Sequence, residues 1–544
     1  MYRQYEMLEL SFFGPEPAGS SDVNVDLTAC FSLQGSEDQA VTVKGFYAGD
    51  GKYKVRFLPL KPGCWYYQVK GVAEAEGALD VKAAAQGNHG PVRAEGTHLK
   101  FDDGTWFFSV GTTIYALAHQ SKELTEETFA SLEKAPFNKV RMCLFPKHYD
   151  YNKNDPEYFP FKVLPGETYV YENLPPFALD YSKKPVWDVN HPDFRFWDSF
   201  EEKLIRLGKM GIQVDLILFH PYDRWNFSTL SQADNLTYLD YLTRRFAAFP
   251  HIWWSMANEY DLCGAKSLED WEEIEKAIAA GDPYHHLLSN HNCFPLYDFS
   301  HEDITHCSCQ LRTMNMVPEL QKKYQKPVLY DECVYEGNLP QTWGSISAAE
   351  MVNRFWKVTA TGGYCTHGEV FLDPDETNLD EAVLWWAKGG KLKGQSPERI
   401  AFLKNLMEEI GKPLSPNLTG FGKILAEAGS MNEAQIEQAV SGLPTGIQNL
   451  MRAAFSMDPV NLTRHVDAEY DFSGKTDDDS VFLSYYGTDC HALVEIDLPA
   501  DKTFAIEIID AWNMTREKVM EGVSGHVRVK LPGREYMAVL AVAE

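Results

Sequence analysis

Two acidic residues close strongly apolar runs, Trp253-Trp-Ser-Met-Ala-Asn258-Glu259 and Val328-Leu-Tyr-Asp331-Glu332. Carboxylates at two strand ends facing one cleft are what hydrolysis of a glycosidic bond requires. One protonates the departing oxygen, and the other attacks the anomeric carbon or activates a water. The pair is not decisive alone, because a chain with 78 Asp and Glu produces strand-end carboxylates by chance. Asp331 competes with Glu332, since strict alternation sends only one of them into a shared mouth; Glu332 is preferred. Glu336, in the following loop, reads as solvated.

Other apolar runs also end in polar groups. His220 is followed by Tyr222-Asp-Arg-Trp225, and further stretches are Asn290-His291-Asn292, Gln310-Leu-Arg312 and Thr366-His367-Gly-Glu369. A sugar ring needs donors and acceptors on several sides, so His220, His291 and His367 are candidate substrate contacts. Each is weighed against the ordinary role of a buried, satisfied histidine. His285, His286, His291, His306, Cys307 and Cys309 lie close together, but without zinc-ligand spacings. Cys307 and Cys309 would share one side of a strand, facing the wall. No metal is expected, and no cofactor, since Walker, nucleotide-binding and nucleophile-elbow motifs are absent.

Between residues 97 and 412 the pattern repeats strand then helix. Strand candidates are Phe107–Tyr115, Lys139–Phe145, Gln213–Phe219, Ile252–Met256, His286–Ser289, Ile304–Cys307, Pro327–Asp331 and Gly363–Thr366. Amphipathic segments such as Phe194–Lys209 and Ala349–Val358 fall between most of them. That count predicts an α/β fold, a (β/α)8 barrel over residues 91–414. A doubly wound sheet is disfavoured, because no Gly-rich fingerprint follows the first strand. The segment Tyr149–Val189 is an insertion in the second βα loop, on the catalytic face. Residues 1–90 alternate as short strands with turn signals at Asp50-Gly51 and Lys61-Pro-Gly63, predicting an antiparallel β-sandwich. Residues 415–544 read as a second sandwich, with a helix near Glu433–Phe455.

Asn immediately before Glu at the fourth strand end, with Glu at the seventh, resembles the clan A retaining glycosidases built on (β/α)8 barrels. Asn138-Lys-Val-Arg141 on the second strand is similar to that clan's Asn-x-Val-Arg stretch. The whole layout is closer still to bacterial apiosidase-like glycoside hydrolases. It has Phe46-Tyr-Ala-Gly-Asp-Gly-Lys-Tyr-Lys-Val-Arg-Phe-Leu-Pro in the first sandwich and Ile509-Asp-Ala-Trp-Asn-Met-Thr in the last. The resemblance implies Glu259 as general acid/base and Glu332 as nucleophile. It implies that Asn258 bonds the hydroxyl beside the anomeric carbon and that Arg141 holds Glu332. The chain departs from the clan at the eighth strand, where His367 and Glu369 replace a Trp sugar platform. Trp225, Trp343 and Trp385 are candidates to supply it from other loops.

Composition sets the outer bounds. The 544 residues are 44% hydrophobic and 24% charged, as in a folded globular protein, with 13% aromatic residues. The formal charge of −28 disfavours nucleic acid, anionic membranes and strongly anionic glycans unless the site carries a local basic patch. The partner expected is a small carbohydrate; a homo-oligomer is left open. The start Met1-Tyr-Arg-Gln-Tyr-Glu-Met lacks a signal peptide, and no apolar run reaches the ~18 residues that span a bilayer. The ten cysteines are therefore expected reduced, in apolar surroundings, within a cytoplasmic protein. The expected activity is retaining, exo-acting hydrolysis of short imported oligosaccharides or glycosides. The alternatives are a non-catalytic carbohydrate-binding protein on a glycosidase fold, or a transglycosidase.

Overall fold

The computed structural model describes residues 2–17, 19, 21–169, 183–373, 375, 381–418, 432–455 and 472–544. Its centre is a ring of eight parallel strands: β1 (Val110–Thr113), β2 (Lys139–Cys143), β3 (Gln213–Phe219), β4 (Ile252–Ala257), β5 (Leu288–Ser289), β6 (Cys307–Gln310), β7 (Val328–Glu332) and β8 (Tyr364–His367). Hydrogen bonding runs β5-β4-β3-β2-β1-β8-β7-β6. A parallel bridge from His291 to Ser308 joins the two ends. Sequential strands are therefore neighbours around a closed barrel. Both faces of each strand are covered, which is why every residue of β3 is buried and the strand reads as an almost unbroken apolar run.

Helices α1 (Lys122–Leu132), α2 (Phe194–Lys209), α3 (Gln232–Phe246), α4 (Leu268–Gly281), α5 (Val317–Tyr324) and α6 (Ala348–Ala360) follow six of the strands. A short α7 (Trp385–Lys388) and then α8 (Ser396–Ile410) follow β8. In α2, Phe196, Trp197, Phe200, Leu204 and Leu207 fall on one helical face and are buried. The Asp193 carboxylate caps its first turn by accepting from the Arg195 N–H. Residues 290–306 between β5 and β6 form turns and loop, without the helix a regular barrel would carry.

The N-terminal sandwich faces a five-stranded sheet against a three-stranded one, and Phe31 stacks on Phe57 at 4.0 Å between them. The C-terminal sandwich packs a six-stranded sheet on the antiparallel pair Leu493–Asp497 and His526–Lys530; Phe504, Ile506, Val527 and Val529 form its core. The helix expected over Glu433–Phe455 is two helices, Glu433–Val440 and Thr445–Phe455. Pro444 lies between them; it has no N–H to donate and biases the preceding residue away from helix. Part of the second-loop insertion, 170–182, lies outside the described residues. The rest pairs Phe161–Val163 with Trp187–Pro192.

All ten cysteines are free. The expectation of apolar surroundings fails for Cys30 and Cys490, which are exposed, whereas Cys143, Cys263, Cys307, Cys309, Cys333 and Cys365 are buried. No helix among the described residues is long and apolar enough to cross a membrane.

Both sandwiches are fastened to the barrel. Tyr485 stacks on Trp356 of α6 and donates to Asn353 Oδ1 at 3.1 Å. Arg56 of the first sandwich is buried between Glu9 (2.9 Å) and Glu201 of α2 (2.5 Å), and donates to the Arg245 carbonyl at 2.7 Å. Removing one member of such a cluster leaves buried charge without its partner. Arg56→Ala should therefore lower stability by about 3 kcal/mol in urea unfolding. A loss under about 1 kcal/mol would show that this tie does not couple sandwich to barrel.

Candidate active site

Local backbone features bring the carboxylates together. Glu259 follows β4 in a left-handed conformation, with φ of 58°, which a non-glycine residue adopts only when its surroundings hold it there. His291 does this: its Nδ1 accepts a long 3.4 Å hydrogen bond from the Glu259 N–H, and its carbonyl accepts the Tyr260 N–H at 2.9 Å. Across the mouth, the β6–β7 pairing slips, with Cys309 opposite Tyr330 but Gln310 opposite Glu332. This irregularity breaks the alternation assumed from sequence, so Asp331 and Glu332 both face inward. Asp331 lies deeper, paired with Lys139 and accepting from Ser308 Oγ at 2.6 Å and Thr366 Oγ1 at 2.9 Å.

The two glutamates share donors. The Tyr115 phenol donates to Glu332 Oε1 and lies 2.9 Å from Asn258 Oδ1. Asn258 Nδ2 donates to Glu259 Oε2 at 3.2 Å, and the Tyr222 phenol donates to the same oxygen. In the amide orientation that satisfies both acids, the Gln310 nitrogen lies 3.2 Å from Glu259 Oε1 and 3.0 Å from Glu332 Oε2. Those two oxygens are therefore no more than about 6 Å apart. Burial first, and then the neighbouring Glu332, push the Glu259 carboxyl up to about 7, against the lowering effect of the Tyr222 phenol and Lys147. Burial and the adjacent carboxylates hold the Tyr115 and Tyr222 phenols well above their usual range, which keeps them donors.

One layer below, Arg141 Nε pairs with Asp215 at 3.0 Å, and Arg141 Nη1 lies 3.4 Å from the Asp331 carbonyl. The expected Arg141–Glu332 ion pair is not formed. Arg141 sits level with Asp215 in the β2–β3 register, and only its longer-range field reaches Glu332.

The other candidates divide. Asn258 joins the acid pair, and His291 stands behind Glu259. His220 is buried, with Nε2 3.2 Å from the Phe145 carbonyl, and burial pushes its ring down to about 3. His367 points away from the mouth: Nδ1 lies 3.2 Å from Thr112 Oγ1, and the ring stacks on Phe137 at 4.8 Å. Strand alternation explains this, since the adjacent Thr366 is the residue that reaches Asp331 inside the barrel. Trp225 is buried with its indole donating to Asp155 at 2.6 Å, and Trp385 donates to Thr112 at 2.8 Å. Neither presents an open platform.

The adjacent Trp386 stands over the mouth, with its ring 5.7 Å from Tyr115, 5.1 Å from Trp343 and 5.7 Å from Tyr149. Sequence reading missed Tyr115, Lys147 and Trp386, and named Tyr222 and Gln310 only as strand-end residues. The indoles of Trp253 and Trp254, on the strand before Glu259, donate to Gln213 and Asp282.

Glu336 is buried rather than solvated. It accepts from the Gln395 N–H at 2.8 Å and the Ser396 N–H at 3.2 Å, while Glu369 accepts from Lys393 at 2.5 Å and Gly394 at 2.9 Å. Among the described residues, Glu336, His367 and Glu369 form the one set close enough to hold a metal ion. All four of its carboxylate oxygens already take these backbone donors.

A parallel eight-stranded barrel with two glutamates converging at its mouth is the arrangement of a glycoside hydrolase. Residues 93–411 match the model of the apiosidase-like catalytic domain, and the chain belongs to that apiosidase-like family. Residues 1–71 and 470–541 match two domains of unknown function, DUF5060 and DUF5605. The chain is similar over 100% of its length, at 30% identity and a TM-score of 0.80, to a glycoside-hydrolase candidate of Bacteroides vulgatus covered over 99%. A family 5 glycoside hydrolase of the same organism shares the fold at 15% identity and a TM-score of 0.56, over 84% of this chain and 93% of that one. No curated protein sequence matches the chain.

The raised Glu259 carboxyl has a consequence for stability. A folded-state value of about 7 against an ordinary 4.5 means the folded form binds the proton more tightly. Its contribution is fully present below the unfolded value and is lost as pH rises through 7. Glu259→Gln should therefore be more stable than the wild type at pH ~8, by roughly 1–3 kcal/mol, with the gap closing toward pH ~5. Urea unfolding at both pH values checks this; a gap independent of pH would show that Glu259 titrates normally.

Proposed function

We propose that the protein is a retaining glycosidase working by double displacement, with Glu332 as nucleophile and Glu259 as general acid/base. The observation that carries this reading is the single Gln310 nitrogen within hydrogen-bonding distance of both carboxylates. Two acids joined through one donor sit at the ~5–5.5 Å spacing of retaining enzymes more readily than at the ~6.5–9.5 Å that admits a water between them. The raised Glu259 carboxyl supports its role as proton donor near neutral pH. The Tyr115 phenol donates to Glu332 and so orients that carboxylate.

In the first step the Glu259 proton passes to the glycosidic oxygen as that bond breaks, and a Glu332 oxygen bonds the anomeric carbon. In the second, Glu259 takes a proton from water, which displaces Glu332. Asn258, held between Tyr115 and Glu259, is placed to bond the neighbouring sugar hydroxyl. Tyr149, from the second-loop insertion, stands beside Trp343 and Trp386. This aromatic wall supports exo action on short glycosides, with Trp386 as the sugar platform. A cytoplasmic setting, with imported glycosides as substrates, completes the reading.

A panel of aryl pyranosides and furanosides identifies the substrate, and a pure binding protein would release no aryl alcohol from any of them. Product NMR should show the starting anomeric configuration. Glu332→Ala should lose at least ~10³-fold in kcat with the fold intact, and azide should restore turnover with inverted product. Glu259→Ala should slow poor leaving groups far more than activated aryl groups, which need little protonation. Inverted product from the wild type, or a Glu332→Ala enzyme that keeps most of its activity, would refute double displacement.

A further inference from the structure

Lys147 is unused in the mechanism above, although it stands at its centre. It is 4% exposed, and its Nζ lies 3.4 Å from the centroid of the Tyr115 ring, 4.2 Å from that of Tyr222 and 5.0 Å from that of Trp386. Among the described residues it forms no ion pair within 4.0 Å. A buried ammonium held only by aromatic faces is under-compensated, because cation–π attraction replaces only part of its lost hydration.

The two nearest rings are not arbitrary. The Tyr115 phenol donates to Glu332, and the Tyr222 phenol donates to Glu259. One cation therefore flanks both catalytic carboxylates, each through one tyrosine. The other cations of the barrel axis are already engaged, Lys139 with Asp331 and Arg141 with Asp215.

In the double displacement proposed above, on which this inference rests, the negative charge changes place. The free enzyme carries it on Glu332 while Glu259 is protonated. When Glu259 gives its proton to the leaving oxygen and Glu332 becomes an ester, the charge resides on Glu259. The net charge of the pair is the same in both states. We infer that Lys147 is the counter-charge shared by the two carboxylates, balancing Glu332 in the free enzyme and Glu259 in the glycosyl-enzyme. It touches neither reacting atom and acts as a positioning residue.

The remaining groups around it leave that role open. From β2, burial pushes the Cys143 thiol up to about 12. His220, after β3, is held neutral by burial at about 3, and His291, after β5, lies well below its usual range. Burial and the nearby Glu259 push the Cys293 thiol up, and burial with Glu332 does the same to the Tyr335 phenol. Burial, with Asp150, raises the Tyr149 phenol of the insertion to about 12. None of these supplies a second cation near neutral pH.

The test compares pH profiles of the full-length wild type, Lys147→Met and Lys147→Arg on an activated aryl glycoside whose kcat is limited by deglycosylation. The acid limb of kcat/KM reports Glu332 in the free enzyme; the acid limb of kcat reports Glu259 in the glycosyl-enzyme. Loss of a nearby cation raises a carboxyl pKa, so in Lys147→Met both limbs should move up by about one pH unit or more. Lys147→Arg should keep both near their wild-type positions, and circular dichroism should show all three folded. Should the Met variant not fold, Lys147→Gln serves the same comparison.

Limbs that stay in place while kcat falls, or an Arg variant displaced as far as the Met variant, would overturn the inference. Movement of one limb alone would assign Lys147 to a single carboxylate and overturn the sharing. A wild type that turns over no glycoside, or gives inverted product, would instead refute the retaining reading.

Discussion

Four charges buried on the barrel axis constrain everything above them. Lys139 pairs with Asp331 and Arg141 with Asp215, and all four are at most 2% exposed. Removing such ions from water costs several kcal/mol each, so the group is tolerable only as a balanced set. Ser308 and Thr366 also donate to Asp331. Burial alone would raise the Asp331 carboxyl, yet Lys139 and Arg141 outweigh it and hold that group well below the usual range. Asp215 shows the opposite outcome, raised because burial outweighs its cations. The cluster ties β2, β3, β6, β7 and β8 at one level, and Glu259 and Glu332 stand on it as the next layer.

That layer separates two chemically identical side chains. Both glutamates are buried and both accept a tyrosine phenol, so burial and phenol donation do not distinguish them. Position does. Glu259 sits on a left-handed residue braced by His291, in contact with Asn258. Glu332 sits on an irregularly paired strand end above the axial cations. Backbone strain on one side and broken register on the other thus orient the two acids, in keeping with the tendency of such features to gather at working sites.

The sequence made the barrel legible because parallel strands covered on both faces leave near-continuous apolar runs, and Glu259 and Glu332 could be read from where those runs end. Interactions that depend on register were hidden. Strict alternation forbids Asp331 and Glu332 from facing inward together, and only the slip opposite Gln310 permits it. Arg141 was read one layer too high, since nothing in Asn138-Lys-Val-Arg141 reveals that Asp215 lies level with it. Glu336 resembled a solvated loop residue because its backbone partners, the amides of Gln395 and Ser396, lie far along the chain. Of the paired tryptophans, Trp385 donates to Thr112, and it is the neighbouring Trp386 whose ring stands beside Tyr115.

The segment from Trp385 to Ser396 explains why that neighbour is held so firmly. The Trp386 carbonyl accepts the Tyr115 N–H at 3.0 Å, and the Ala387 carbonyl accepts the Ala116 N–H at 2.9 Å. The chain end that carries the phenol donating to Glu332 is thereby sewn to the one that carries Trp386. Further along, the amides of residues 393–396 grip Glu369 beyond β8 and Glu336 beyond β7. Gly394 is required at this grip, because a Cβ there would lie 2.5 Å from Glu369 Oε2 and 2.6 Å from Glu336 Oε2. The two buried acids Glu336 and Glu369 are thus the fastening of the eighth loop. Through that loop, the position of the Trp386 ring and the hydrogen bond from Tyr115 to Glu332 are set by one element.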